Sequence, residues 1–352
     1  MAKEVRSGLY LGGRTDAEGI RCTSEYTHLL SIGCPLEGGA PDSIIRHLDF
    51  PDLLDDVESN ILDLLEESVN FIDEALREET RSEGGKVLVH CEAGQSRSAA
   101  VVCAWIMAKE GLDFDDALSA LKEVAPAVEP NAGFCEQLRM FGSMGCTIDR
   151  TRPAYKHFKA QQLALKRQND GWLDASTLQA LPGTTGEGGG QDGEMYRCKK
   201  CRCILGSHAN QLLHETGRGQ EEFKYYKQNK ASLYKGPGIE CTSYFLEPML
   251  WMEASEITQG HTEGKIQCKC GVRLGTFNWA GEQCSCGKWI VPAFQVAKSR
   301  VDTIRVMAPP TISQPRTLRR DFVEVGKKLV PTPVVSAEPG VEEVSAEPVV
   351  EG

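Results

Sequence analysis

A cysteine and an arginine six positions apart are the residues of this chain whose types and spacing most clearly indicate a chemical function. They lie in VLVHCEAGQSRSAA, residues 87 to 100, where Cys91 follows a short apolar run and Arg97 precedes a longer one. A cysteine thiolate is a strong nucleophile, and the planar guanidinium of an arginine binds two oxygens of one phosphate group. If the fold brings the two side chains together, they are typical of phosphoryl transfer.

The segments around this pair indicate how it would be positioned. The run VLV at 87 to 89 is typical of a buried central strand, and SAAVVCAWIMAKEG predicts a helix. The loop between them would surround an anion with backbone N–H groups and the positive end of the helix dipole. The residues predicted to bind substrate are Glu92, Ala93, Gly94, Gln95, Ser96 and Arg97. The same surroundings favour a thiolate at Cys91, which we predict to be the nucleophile.

Cleavage of a phosphoester also requires a proton for the leaving oxygen, and therefore an acid on a loop facing the cysteine. The segment DFPDLLDDVESN offers four candidates, Asp49, Asp52, Asp55 and Asp56. An aspartate in such a segment serves equally well as a helix cap. The residue types alone therefore leave the choice of the acid open.

The order His90-Cys91, five residues, Arg97-Ser98 resembles the signature of the protein tyrosine phosphatase superfamily. Residues 1 to 150 resemble its dual-specificity branch, through NILDLLEESVNFIDEAL before the signature and NAGFCEQL after it. The resemblance implies a cysteinyl-phosphate intermediate on Cys91, whose phosphoryl oxygens Arg97 binds. Ser98 would donate a hydrogen bond to the departing thiolate, and His90 would fix the geometry and acidity of the cysteine.

The same resemblance bears on the acid and on the substrate. The family spacing favours Asp55 as the general acid, with Asp56 second and Asp52 third, and it implies no metal in the catalytic site. A domain of about 150 residues has little room for the loops that deepen a phosphotyrosine pocket. We therefore expect a shallow site that accepts phosphotyrosine and phosphoserine or phosphothreonine in protein substrates.

Cysteines with metal-ligand spacing are concentrated in the C-terminal half. Eight soft ligands fit two tetrahedral structural zinc sites, and they are Cys198, Cys201, His214, Cys241, Cys268, Cys270, Cys284 and Cys286. Chain order suggests that the first four form one site and the last four the other, while an interleaved arrangement stays open. Cys203 and His208 are spare residues that could replace a member of the first set.

The segments CTSYFLEPMLWM, RLGTFNWAGEQCSCGKWIVPAF and SRVD resemble the zinc-binding domain of a eukaryotic, fungal-type subfamily of these phosphatases. That subfamily acts in ribosome biogenesis. The resemblance implies binding to large-subunit pre-ribosomal particles of protein and rRNA through the zinc domain, and release of a placeholder factor for the stalk protein. It allows an alternative in which the phosphatase activity is dispensable for this role. A location in nucleus and cytoplasm follows as an expectation, as does a monomer.

The composition and the hydrophobic pattern indicate the class of protein and the number of domains. The chain of 352 residues is 41% hydrophobic and 25% charged, which suits two domains with cores of their own. No apolar stretch approaches about 20 residues, so we expect no membrane span. The N-terminal segment lacks the pattern of a secretory leader, so we expect reduced cysteines.

The charge is unevenly distributed. Residues 1 to 150 carry 13 Lys and Arg against 28 Asp and Glu, whereas residues 194 to 300 carry 15 against 10. The basic excess of the second region suggests a phosphate-rich or acidic partner, although charge by itself favours an ordinary solvated face.

Alternating strand and helix patterns predict an α/β fold with a mostly parallel central sheet flanked by helices. A small, irregular or β-rich zinc-binding domain would follow. We predict a phosphatase domain over 1–150, a helical extension with a Gly-rich linker over 151–193, the zinc domain over 194–305, and an extended, disordered tail over 306–352.

Overall fold

A five-stranded sheet organises the N-terminal half. Its strands are β1 (Lys3–Arg6), β2 (Leu9–Gly12), β3 (His28–Ile32), β4 (Arg46–Phe50) and β5 (Val87–His90). The order across the sheet is β1-β2-β5-β3-β4, and every neighbouring pair is parallel except β1 with β2. Strand β5 is therefore central, with a parallel partner on each side, as its apolar run predicts.

Helices cover both faces of this sheet. They are α1 (Arg14–Gly19), α2 (Leu62–Arg77), α3 (Arg97–Glu110), α4 (Phe114–Val124) and α5 (Ala132–Ser143). Alternate residues of a strand point to opposite faces, so Leu88 packs with α1 while Val87 and Val89 join the larger core beneath α2 to α5. The predicted mostly parallel sheet flanked by helices is confirmed.

Helix α2 begins later than the sequence predicts. Apolar residues at helical spacing predict a helix from Val57 to Leu76, yet α2 begins at Leu62. The carboxylate of Asp56 accepts hydrogen bonds from the backbone N–H groups of Glu58 and Ser59, both at 2.8 Å. This turn competes with a helical start, as aspartate side chains often do.

Helix α6 (Pro153–Asp170) lies between the two halves of the chain. Proline occupies its first turn, where no hydrogen bond is lost, and Gly171 ends it in the left-handed region at φ 74°. Tyr155 belongs to the core of the N-terminal half, whereas Ala160 and Ala164 belong to two clusters of the C-terminal half. The helix therefore contributes buried side chains to both.

The C-terminal half consists of small antiparallel sheets. Its strands are β6 (Gly193–Cys198), β7 (Ile204–Ser207), β8 (Ser243–Phe245), β9 (Glu263–Gln267), β10 (Arg273–Asn278), β11 (Glu282–Gln283), β12 (Trp289–Ile290), β13 (Ala293–Ala297) and β14 (Val301–Val306). They form sheets in the orders β8-β13-β10-β9, β14-β6-β7 and β11-β12. This arrangement confirms a β-rich second region.

The computed structural model describes residues 1–20, 25–77, 85–178, 193–215, 241–252, 257 and 260–306. All of them lie within one compact unit, Met1–Ala308. The Gly-rich linker at 182–193 and the tail at 306–352 lie outside the described residues, apart from their ends at 193 and 306. Among the helices described, none combines the length and the apolar character needed to cross a bilayer.

Candidate active site and metal-binding groups

The carboxyl end of β5 and the start of α3 enclose the loop that carries Cys91. Cys91 is buried, and its Sγ lies 3.2 Å from Ser98 Oγ on the first turn of α3. Within the described residues, none of the backbone N–H groups of residues 93 to 96 donates a hydrogen bond. These amides stand at a helix N-terminus beside a nucleophilic sulfur, an arrangement that suits a bound phosphate.

Gly94 gives the loop its shape. Its φ of +72° lies in the left-handed region, and a Cβ there would lie 2.7 Å from the carbonyl oxygen of Gly12. The loop therefore passes close to β2 at a point where a side chain would collide. The carboxylate of Glu92 pairs with Arg14, whose Nη2 lies 2.8 Å from it. This pairing lowers the pKa of Glu92.

Two backbone carbonyl groups accept hydrogen bonds from the guanidinium of Arg97. Its Nη1 donates to the carbonyl oxygen of Gly33 at 2.6 Å and, more weakly, to that of Leu53 at 3.4 Å. Gly33 follows β3 at the same edge of the sheet and has a φ of +59°. A Cβ at Gly33 would lie 2.2 Å from Arg97 Nη1, so only glycine fits. Sequence reasoning missed this residue because its contact spans 64 positions of the chain.

The acid loop, residues 53–60, brings one aspartate to the arginine. Asp55 Oδ1 accepts hydrogen bonds from Ser96 Oγ at 2.6 Å and from Asn131 Nδ2 at 3.0 Å. Its other oxygen lies 3.7 Å from Arg97 Nε. The carboxylate therefore lies beside the start of α3, in contact with both Ser96 and Arg97. Asn131, which begins α5, was not a predicted site residue.

The other candidate aspartates occupy different surroundings. Asp56 uses both carboxylate oxygens within its own turn, on Glu58 and Ser59. Asp52 is exposed, and Asp49 lies on β4. Within the described residues, Asp55 alone among the four contacts the substrate-binding loop.

His90 is buried on β5 and takes part in a chain of side-chain hydrogen bonds. Its Nε2 lies 2.7 Å from Ser31 Oγ, which in turn lies 2.8 Å from Nε2 of His47. One hydroxyl hydrogen cannot serve two bare nitrogens, so one of these imidazoles carries its proton on Nε2. Burial lowers the pKa of His90 to about 4, which keeps the ring neutral beside Cys91 at pH 7.

The eight predicted metal ligands form two groups of four. One group consists of Cys198, Cys201, Cys268 and Cys270, and the other of His214, Cys241, Cys284 and Cys286. In each group all ligand atoms lie within 4.8 Å of one another. The pairing expected from chain order is therefore wrong, and the structure has the interleaved arrangement that was left open.

The local turns explain the interleaving. The segments CKCG and CSCG each form a tight turn, in which Gly271 donates to the Cys268 carbonyl and Gly287 to the Cys284 carbonyl. Both glycines have positive φ, at 77° and 95°. Each turn thus presents two thiols in the same direction, so the two C-x-C pairs are equivalent units. Each needs two further ligands from elsewhere in the chain.

The geometry and the donor types suit zinc. A tetrahedral site with Zn–S bonds of about 2.3 Å has sulfur–sulfur separations of about 3.8 Å. The distances are 3.9 Å from Cys198 Sγ to Cys270 Sγ and 3.4 Å from Cys201 Sγ to Cys268 Sγ. In the second group, Cys241 Sγ lies 3.3 Å from His214 Nε2. Four thiolates, or three with one imidazole, could each hold a zinc ion.

The two spare residues differ. Cys203 Sγ lies 3.3 Å from Cys201 Sγ and 3.2 Å from Cys268 Sγ, so a fifth sulfur adjoins the first group. His208 lies in a turn on the surface and joins neither group of four. Burial raises the pKa of the Cys241 thiol to about 12, so a metal there would displace a proton.

Comparisons with known proteins agree with this geometry. A family model described as dual specificity phosphatase, catalytic domain, matches residues 9–144. The chain is 40% identical to Dual specificity protein phosphatase 12 of Mus musculus, over 90% of this chain and 92% of that protein. It is 30% identical to Tyrosine-protein phosphatase YVH1 of Saccharomyces cerevisiae, over 85% of this chain and 90% of the yeast protein. Identity to Tyrosine-protein phosphatase yvh1 of Schizosaccharomyces pombe is 34%, over 86% and 84% respectively.

Proposed function

The chain belongs to the Yvh1-type dual-specificity protein phosphatases, and from this premise we propose that Cys91, Arg97 and Asp55 carry the reaction. The enzyme hydrolyses phosphotyrosine and phosphoserine or phosphothreonine in proteins. The observation that supports these roles best is the convergence of a buried thiol, four unused backbone amides and an arginine held by Gly33 on one loop.

In the first step, the Cys91 thiolate attacks phosphorus while the bond to the leaving oxygen breaks. Asp55 donates its proton to that oxygen, and Arg97 with the loop amides binds the phosphoryl oxygens. In the second step, water attacks the cysteinyl-phosphate, and the Asp55 carboxylate accepts the proton of the water. The sulfur leaves as a thiolate, stabilised by a hydrogen bond from Ser98 Oγ, and inorganic phosphate is released.

The intermediate provides a direct test. After rapid quenching of the enzyme with an aryl phosphate, we expect the peptide that contains Cys91 to carry one phosphoryl group. Ser98→Ala should increase the trapped fraction several-fold, because the departing thiolate loses its hydrogen bond. Phosphate found on another residue, or an unmodified Cys91 peptide in Ser98→Ala, would contradict the mechanism.

We also propose that two structural zinc ions occupy the two groups, and that the zinc-bearing half binds large-subunit pre-ribosomal particles. The family resemblance supports this role, which includes release of a placeholder factor and a location in nucleus and cytoplasm. The structure adds a cationic face around the first group. Its members are Lys199, Lys200 and Arg202 beside Cys201, Lys269 between Cys268 and Cys270, and Arg300 next to Lys199.

Ion pairs compensate little of the charge of this face, although a zinc ion held by four thiolates would itself leave a net negative charge at its centre. Arg202 pairs with Asp302, but no acidic side chain of the described residues lies within ion-pair distance of Lys200, Lys269 or Arg300. Clustered and unpaired cations bind the phosphate backbone of RNA, with an affinity that falls as salt rises.

A charge reversal tests the second proposal. We expect Lys200→Glu combined with Lys269→Glu to reduce sedimentation with large-subunit precursors at least tenfold, whereas Lys166→Glu on α6 leaves it unchanged. Cys91→Ser should bind normally if the phosphatase activity is dispensable for this role. Normal binding by the double variant would rule out the cationic face as the contact.

A further inference from the structure

Helix α6 contacts the acid loop directly. Gln162 Nε2 donates a hydrogen bond to the backbone carbonyl of Glu58 at 3.0 Å. One turn earlier, Lys159 Nζ lies 2.7 Å from the carboxylate of Asp63 at the start of α2. The helix thus holds the segment that leads from the general acid into α2 at two points.

The bonded carbonyl is closely linked to the general acid. Glu58 lies three residues beyond Asp55, and the intervening Asp56 fixes the N–H groups of Glu58 and Ser59. On the opposite side, the carbonyl of Val57 packs against Gly133, where a Cβ would lie 2.1 Å from the Val57 oxygen. The loop is therefore tightly tethered, so a displacement of Glu58 shifts the backbone that carries Asp55.

The same helix is anchored in the zinc-bearing half. His157 Nε2 lies 2.7 Å from the carbonyl oxygen of Leu213, and Lys156 Nζ donates to the carbonyl oxygen of Ala209. Ala160 is buried in a cluster that contains Cys284 and Cys286 of the second metal group. The face of α6 opposite to the phosphatase core is therefore fixed by residues next to the metal ligands.

We propose that Gln162 is a positioning residue for the general acid, and that α6 thereby makes the acid loop depend on the zinc-bearing half. This inference rests on the proposed role of Asp55. Gln162 touches neither substrate nor the reacting atoms; it acts through the Glu58 carbonyl. Substitution of Gln162 should therefore slow the reaction most on substrates whose leaving group has a high pKa, because these depend most on the proton from Asp55.

The test compares Gln162→Ala with the adjacent, exposed Gln161→Ala in the full chain. A leaving group of high pKa needs protonation, whereas a stable phenolate leaves without it. We expect kcat/KM of Gln162→Ala, which reports the first step alone, to fall about three- to tenfold on phenyl phosphate and less than twofold on 4-nitrophenyl phosphate, as the loss of one hydrogen bond allows. Gln161→Ala should match the wild type on both substrates.

Amide hydrogen exchange supplies a readout independent of activity. The peptide that covers residues 53–61 should exchange faster in Gln162→Ala, and to a lesser degree in His157→Ala, which breaks the contact with Leu213. Equal losses of kcat/KM on both substrates, or exchange equal to that of Gln161→Ala, would overturn the positioning role. Unchanged exchange in His157→Ala would overturn the dependence on the zinc-bearing half.

The experiments distinguish a wrong general acid from a wrong positioning residue. The kcat/KM of Asp55→Asn should fall far more on phenyl phosphate than on 4-nitrophenyl phosphate. If Asp55→Asn shows no such selectivity, the assignment of the general acid is wrong. If it does and Gln162→Ala behaves like Gln161→Ala, the acid is correct and the positioning role is wrong.

Discussion

Cys91 is one member of a large core that spans a five-stranded sheet and its covering helices, whereas the two buried cysteines of the second metal group form a large part of a small cluster. Cys284 and Cys286 are two of the seven described residues buried in that cluster of the C-terminal half. A large core tolerates the change of one reactive atom, but a small one depends on its cross-links. Chemistry and stability are therefore separable in the first region and coupled in the second.

The strongest challenge to this comparison is Cys91→Ser. We expect kcat/KM on an aryl phosphate to fall at least about 10⁴-fold, because the nucleophile is removed. The free energy of unfolding of the N-terminal half should change by less than about 1 kcal/mol, because serine is nearly isosteric with cysteine. Chemical denaturation measures the second quantity. A large loss of stability would show that the sulfur supports the fold as well.

Substitution of a metal ligand should have the converse result. Cys284→Ser should lower bound zinc from about two ions per chain to about one and destabilise the surrounding cluster by several kcal/mol. Cys203→Ser is the matched control, since Cys203 adjoins the first group without belonging to its set of four. Metal analysis and limited proteolysis report the outcome. If Cys203→Ser loses zinc as readily, the assignment of the first group is wrong.

Two adjacent aspartates sharpen the contrast within the phosphatase region. Asp55→Asn should reduce kcat about 10²-fold and abolish the limb of the pH–rate profile that reports the general acid. Asp56→Asn should instead lower stability by about 1 kcal/mol with little effect on the profile, because Asp56 serves its own turn. The reverse result would identify Asp56 as the acid.

The smallest expected effect concerns pH and His90. Burial lowers the pKa of His90 to about 4, below the value near 6.5 of the unfolded chain. The unfolded state therefore binds more protons between these values, so this contribution to stability is complete above about pH 6.5 and is lost toward pH 4. Between pH 7.5 and 5.5 the loss should be about 1 kcal/mol. The slope should be smaller in His90→Gln, and an unchanged slope would contradict the assignment.

Sequence reasoning succeeded where the chemistry is contiguous. The strand, loop and helix around Cys91 occupy one continuous stretch, from Val87 to Glu110, so apolar patterning and small residues sufficed to predict them. Gly33 and Asn131 reach the same site from distant segments, and no local pattern marks them. The sheet order, which places β3 beside β5, is what brings Gly33 beneath the arginine.

The metal-binding groups also show what the sequence could not predict. Residue types and spacing identified the eight soft ligands, but their pairing depends on which turns the antiparallel sheets bring together. The turn after β6 meets the turn between β9 and β10, and this contact joins Cys201 to Cys268 across 67 positions. Chain order carries no information about such a meeting. The start of α2 was missed for a local reason, the turn formed by Asp56.

The hydrogen bond from Arg97 to the Gly33 carbonyl has one further consequence. Arg97 Nη1 donates to the Gly33 carbonyl at 2.6 Å, so a backbone group that takes no part in phosphate binding fixes the direction of the guanidinium. Reorganisation that is avoided at the moment of reaction lowers the barrier as surely as an added contact does. We therefore expect a vanadate complex of the enzyme to superimpose on this structure at Arg97.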